Sequence, residues 1–265
     1  MKSSTLYGLL ACTLIFAACG SSKPKYDGPS PVDMLMRDFS NEKTYSIILH
    51  DMQMDESKGL YEHKYKVSKD IENEKTKPEI TGWKKVSEPF FAENLNNMGL
   101  ELASKASDGQ VSKKPSPPGF NGVVGNKKYG EWQSNPSGGG SFWAFYGQYA
   151  FMSSMMNMNS RPSYDSYNHY GSYRNTNPNG AYYGSGAHQY GTNSPATRAS
   201  NPTFFERKQQ QQQLSSFKQK VASNPARYSR AEGASTKDNG NNSRTPRSSS
   251  RTGSSSRSRG GSFGK

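Results

Sequence analysis

The chain has 265 residues, 31% apolar and 12% aromatic, with 26 Gly, 15 Pro and a formal net charge of +13. That composition excludes two fully packed domains, a collagen-like repeat and an aliphatic coiled coil, and leaves one small folded unit with long tails. Charge is unevenly placed: residues 19–158 hold 17 Lys/Arg against 17 Asp/Glu, residues 159–265 hold 16 against 4, and the cations change from Lys to Arg.

Met1 to Thr5 is a short n-region with one positive charge, Lys2. Leu6 to Phe16 is an apolar run too short for a mature membrane span and the right length for a signal h-region. It runs into Ala17-Ala18-Cys19-Gly20. Two small residues directly before a cysteine resemble the bacterial lipobox, although Phe16 stands where that family carries Leu, Val or Ile. The resemblance implies cleavage between Ala18 and Cys19, a diacylglyceryl group on the Cys19 sulfur and acylation of its new amino group. The plain alternatives are an ordinary secretory signal or a short buried helix. The other cysteine, Cys12, lies in the discarded run, so lipidation of Cys19 leaves no thiol for a disulfide, a metal site or a nucleophile.

Residues 19–31 read as a flexible tether and 32–158 as a small α+β unit. Thr44 to Met54 and Leu60 to Ser68 flank the turn residues Asp55 to Gly59, and Tyr61, His63, Tyr65 and Val67 alternate, which predicts a β-hairpin. A short strand is expected around Trp83 to Val86. Ser87 before Glu88-Pro89 is an N-cap with Pro in the first turn, so a short helix covers Phe90 to Asn97 and ends at Gly99. Leu100 to Ser104 and Gln110 to Ser112 read as strands joined at Asp108-Gly109. The sum is a small antiparallel sheet with one or two packed helices, followed by long disordered low-complexity and Arg/Ser/Gly-rich tails.

Residues 113–141 are Gly/Pro-rich, with Tyr129 and Trp132 as anchors onto the sheet. In Phe142 to Met158, Phe142, Phe145, Tyr149, Met152 and Met156 fall at helical spacing. The expectation is an apolar helix over 142–158 that covers the sheet, docks a partner protein or lies in a membrane interface. Residues 159–203 hold no Leu, Ile, Val or Met and repeat Tyr with Gly, Asn and Ser, so they read as a disordered low-complexity segment. Residues 204–222 read as a solitary helix and 223–265 as a disordered basic tail.

No motif predicts catalysis. His50 and Asp51 are neighbours and point to opposite faces of a strand, and His50 with His63 supplies fewer ligands than zinc needs. His169 and His188 lack metal-ligand spacing. There is no Gly-x-Ser-x-Gly elbow, and Asn135 to Gly140 lacks the Gly-Lys-Ser/Thr of a phosphate loop. The expectation is a protein that is not an enzyme, with no cofactor and no metal.

The tail carries the definite chemistry. Arg244, Arg247, Arg251, Arg257 and Arg259 are spaced through Ser and Gly, presenting guanidinium forks suited to phosphate. Beyond an inner membrane the available polyanions are anionic lipid, lipopolysaccharide and acidic polysaccharide, with nucleic acid ranked below them. The plain alternative is a solvated spacer. Cys19, Ser141-Phe142-Trp143 running to Met158, and Arg259-Gly260-Gly261-Ser262-Phe263-Gly264 together resemble bacterial envelope lipoproteins of the YgiB type. The N-terminus is also similar to lipoproteins of the Bacteroidota. The resemblance implies a lipid-anchored envelope protein and transfers no catalytic residue. Gly20, rather than Asp, after the cysteine points to the outer membrane, facing the periplasm. The alternative function is nucleic-acid binding through the Arg/Ser/Gly and Tyr-rich tail.

Overall fold

Two long strands organise the fold, the first a largely buried apolar run and the second following from side-chain alternation. The structure, a computed structural model, describes residues 26–156, 158, 161–186 and 189–228. Helix α1 (Pro31–Asp38) leads into strand β1 (Tyr45–Asp55), which pairs antiparallel with β2 (Leu60–Lys69). Gly59 closes their turn at φ 62°, a conformation that costs glycine little. Tyr45, Ile47 and Leu49 share one buried face with Tyr61, His63, Tyr65 and Val67. The register shifts between Leu49 and Asp51, a bulge that keeps Met52 and Met54 on that same face, opposite His63 and Tyr61.

Short strands β3 (Glu79–Ile80) and β4 (Lys84–Lys85) line the outer edge of β2. Ser87 then caps α2 (Glu88–Glu93), its Oγ accepting from the Phe90 amide at 3.3 Å. Gly99, at φ 84°, turns the chain into β5 (Glu101–Lys105), which pairs with β1 and with β6 (Val111–Ser112). The strand order is β3-β2-β1-β5-β6, with β4 also on β2. The class is α+β around an antiparallel sheet, as the alternation predicts.

Beyond Ser112 the expectations fail in three places. The predicted helix over 142–158 is absent. β7 (Gly130–Ser134) and β8 (Ser141–Phe145) form a second hairpin, and only α3 (Met152–Met155) and a single 3₁₀ turn follow. The hairpin wins because Gly138, Gly139 and Gly140 supply three consecutive positive-φ positions for its loop, and its aromatic residues suit a strand. The segment 159–203 is not a disordered stretch where described: α4 (Tyr164–Thr176) and α5 (Pro195–Ser200) lie in it, and Tyr170 and Tyr182 are buried. The helix over 204–222 is not solitary. α6 (Pro202–Glu206), α7 (Lys208–Ser223) and α8 (Pro225–Tyr228) bring Phe204, Leu214, Phe217 and Tyr228 into the sheet's own core. The folded unit therefore runs past Met158 to Tyr228, with more helices than the one or two expected. The basic tail starts correspondingly later than residue 223, and its remainder lies outside the described residues.

The sheet separates two cores. On one face, α1, α2, α6, α7 and α8 pack Val32, Phe91, Phe204 and Phe217 onto Ile47, Leu49, Met52 and Tyr65. Against the other face lies an aromatic layer of Phe120, Val123, Val124, Tyr129, Trp143, Met152, Met156, Tyr170 and Tyr182. Register explains how that layer approaches so closely. Ser68, Ser46, Ser104 and Ser112 stand in one cross-strand row, with Glu101 beside Ile48 on the same face. Small side chains there let the loop at 114–122 reach the strands.

Candidate functional site

Among the described residues, those singled out in sequence do not converge. Ala18, Cys19, Arg244, Arg247, Arg251, Arg257 and Arg259 lie outside the described residues. His50 falls at the bulge of β1, its carbonyl accepting from Asn201 Nδ2 at 2.6 Å, while His63 pairs across the strands with Met52. The two histidines therefore share no site. His63 is fully buried against Phe90 and Phe91; its Nδ1 meets the Tyr65 hydroxyl at 3.1 Å and its Nε2 has no partner. Burial drives its pKa down to about 3. It is a neutral core histidine. Among the described residues no group of three His, Cys, Asp or Glu side chains could hold a metal ion.

Three features missed in sequence stand out. The first is a polar seam between sheet and aromatic layer. Glu101 is buried, and its carboxyl accepts from Ser46 Oγ at 2.6 Å and from the Gly119 amide and Asn121 Nδ2 at 3.4 Å. Asn121 also donates to Ser116 Oγ at 2.7 Å and accepts from the Tyr170 hydroxyl at 2.5 Å. Burial pushes the Glu101 pKa up, against the opposing pull of hydrogen bonds from Ser46, Ser104, Gly119 and Asn121. A cavity of about 10 Å³ beside it is room for one water and too small for a substrate. The seam positions a loop.

The second feature is a cleft of about 50 Å³ walled by Gly99, Pro117, Phe120, Pro162, Tyr190 and Thr197. It is about a third of the cavity volume that admits benzene. Its hydroxyls are already bonded within the protein: Ser194 Oγ donates to Thr197 Oγ1 at 3.0 Å, and Thr197 donates to the Gly191 carbonyl at 2.9 Å.

The third is a cation–aromatic cluster at the far end of the hairpin. Arg207 Nη2 donates to the buried Asp51 carboxylate at 2.5 Å, and its guanidinium lies 5.8 Å from the Trp83 ring and 5.5 Å from Phe204. Lys64 Nζ stands 4.4 Å over Trp83. The arrangement ties the α6–α7 junction to β1 and sets two cations against the indole. The sequence signal for it is Trp83-Lys84-Lys85 after Pro78, legible as a strand but not as a face. No described helix is long and apolar enough to cross a membrane. Comparison with known protein families, with curated proteins and with solved structures finds no match for this chain.

Proposed function

We propose that this is a lipid-anchored, non-enzymatic envelope protein whose C-terminal arginines engage anionic surfaces of a Gram-negative-type envelope. The observation that carries it is the short n-region, the apolar run Leu6 to Phe16 and the Ala17-Ala18-Cys19 junction, followed at once by polar residues. Cys19 to the start of α1 at Pro31 spans roughly 40 Å when extended, so the folded unit stands close to its membrane. A mature lipoprotein carries more than one acyl chain, which makes the attachment stable. Gly20 after the cysteine supports outer-membrane retention, with the unit facing the periplasm.

Arg244, Arg247, Arg251, Arg257 and Arg259 then act beside that surface. Each contributes about 1 kcal/mol near an anionic bilayer, so together they give roughly 5 kcal/mol before ordering costs. That suits millimolar-to-micromolar attachment to lipid phosphates, lipopolysaccharide or acidic polysaccharide, and is too weak for sequence-selective recognition.

Radiolabelled palmitate tests the anchor. The wild-type chain takes up label and Cys19→Ser does not; an unlabelled wild type overturns the proposal. Replacing the five arginines by Ser abolishes salt-sensitive binding of the tail to anionic vesicles. Preference of the tail for DNA over vesicles at equal salt, without lipid on Cys19, makes the protein a nucleic-acid binder instead.

A further inference from the structure

The edge formed by β3 and β4 carries side chains that neither core explains. Register sets Ile80 beside Lys66, Lys85 beside Glu62 and Lys84 beside His63. Directly opposed residues share a face, so Ile80 and Lys85 stand on the side away from the helical core, where Lys64 lays its ammonium over Trp83. Ile80 is 56% exposed and Trp83 is half-buried. Lys77, Lys84 and Lys85 are exposed and, among the described residues, enter no ion pair. Of the nearby acids, Asp51 holds Arg207, while Glu62 stands across from Lys85 and accepts from Gln53 Nε2 at 2.6 Å. Glu79, opposed to Val67, stands on the helical side, so on the outward face Lys64, Lys66 and Lys85 outnumber Glu62 and leave the edge positive.

Lysines on an edge strand also blunt it against pairing with another chain. That role needs charge alone and leaves an exposed isoleucine beside an indole without a purpose. An aliphatic tip, an indole and flanking amines are what partitions to a bilayer interface: the apolar groups enter the headgroup region while lysine stems bury and their ammonium ends reach phosphate. We infer that the β3–β4 edge is a second membrane-contact site, seating Ile80 and Trp83 among the headgroups of an anionic bilayer with Lys64, Lys77 and Lys85 on lipid phosphates. The inference rests on the lipoprotein reading for its tether, which holds the edge at high effective concentration and makes a weak contact sufficient.

The test uses the mature lipidated protein, reconstituted through Cys19 into vesicles of phosphatidylcholine alone or mixed with phosphatidylglycerol. The Cys19 sulfur is then a thioether, so Ile80→Cys supplies the single free thiol for an environment-sensitive fluorophore. On phosphatidylglycerol vesicles its emission shifts to the blue and is quenched by brominated acyl chains, and both effects recede at high salt. A joint Lys77→Gln, Lys85→Gln variant lowers the contact equilibrium about thirtyfold, since each basic residue at an anionic surface multiplies it about fivefold. The same probe at Val111→Cys, 53% exposed on the opposite sheet edge, stays in water.

A residue-80 probe that stays in water while the protein remains anchored overturns the edge contact and leaves the lipid anchor standing. So does an equal shift on phosphatidylcholine alone, or a shift that survives the two Gln substitutions. A shift produced by DNA and not by vesicles makes the edge a nucleic-acid surface and also overturns it. If Cys19 carries no lipid, the anchor reading fails by itself. A Cys12→Ser, Cys19→Ser, Ile80→Cys protein titrated with the same vesicles then reads the edge contact directly.

Discussion

The two faces of one sheet are filled by different chemistry. The helical side packs aliphatic side chains, phenylalanines and four tyrosines, and its histidine, His63, sits without a partner on Nε2. The aromatic side has few aliphatics and is closed by tyrosines whose hydroxyls bond across it, Tyr170 to Asn121, Tyr173 to the Ala181 carbonyl and Tyr182 to the Ser166 carbonyl. Its buried carboxyl, Glu101, takes hydrogen bonds from Ser46, Ser104, Gly119 and Asn121. One face is held by buried area, the other by area plus a hydrogen-bonded seam. A chain poor in Leu and Val can thus close a second core, because each tyrosine buries on the order of 150–250 Å² and brings its own polar handle.

The largest effect that would sharpen this contrast is at Phe217. It is fully buried, with ring centroids 5.6 Å from Tyr61 and 5.9 Å from Phe91. Phe217→Ala removes the ring that pins α7 to the sheet and costs about 3–5 kcal/mol in equilibrium unfolding. Proteolysis of that variant should release the segment after Phe204 before it touches the aromatic layer. Simultaneous loss of both layers would show that the two cores form a single cooperative unit.

Legibility in sequence follows the same divide. The β1–β2 hairpin was readable because its alternation and its Asp55 to Gly59 turn agree, and α2 because Ser87 and Pro89 mark its start. The aromatic layer was not. Its residues have no aliphatic period, so Tyr164 to Tyr190 reads as low complexity until Phe120, Tyr170 and Tyr182 are seen ring against ring at 5.2–5.4 Å. Phe142 to Met158 misleads for a different reason: aromatic residues satisfy helical spacing and strand alternation alike over so short a run, and the three glycines before it decide. Cys19 and the tail arginines are read from sequence alone. Trp83 and Ile80 become a surface only once β3 and β4 are in register with β2.

Titration should divide the faces by sign. His63 is held neutral with its pKa near 3, while an unfolded histidine binds a proton below about 6.5. Its contribution to stability is full above that pH and is lost as pH falls toward 3, with a slope of up to about 1.4 kcal/mol per pH unit. Glu101 runs the other way. Its raised pKa makes its contribution full at low pH and lost as pH climbs through the folded-state value. Denaturant midpoints against pH should therefore lose their acid slope in His63→Phe, and in Glu101→Gln lose the decline that sets in as pH rises above the ordinary carboxyl value of 4.5. An unchanged acid slope in His63→Phe would assign acid unfolding to the carboxylates, chiefly Glu72. Burial raises that group's pKa, but hydrogen bonds from Lys128, Tyr129 and Lys43 prevail and hold it at about 2.

The smallest effect separates area from hydrogen bonding directly, by taking one hydroxyl from each face. Tyr61 and Tyr170 are nearly equally buried, at 7% and 8% exposure, so removing an oxygen changes their apolar burial alike. Only the partners differ. Tyr170 donates to Asn121 Oδ1 at 2.5 Å, and Asn121 in turn braces Ser116 and Glu101. Tyr61 packs against Phe91 at 5.3 Å in a core held by ring contact. Tyr170→Phe leaves an amide oxygen without its donor and should cost about 1–3 kcal/mol, whereas Tyr61→Phe should stay within about 0.5 kcal/mol of wild type. The Tyr170 change also loosens the loop at 114–122, which Arg174 of α4 still holds at the Pro115 carbonyl, so the loop's amide protons, Gly119 included, should exchange faster while those of β1 and β2 do not. Equal costs for the two substitutions would mean that the aromatic face, like the helical one, is held by buried area alone.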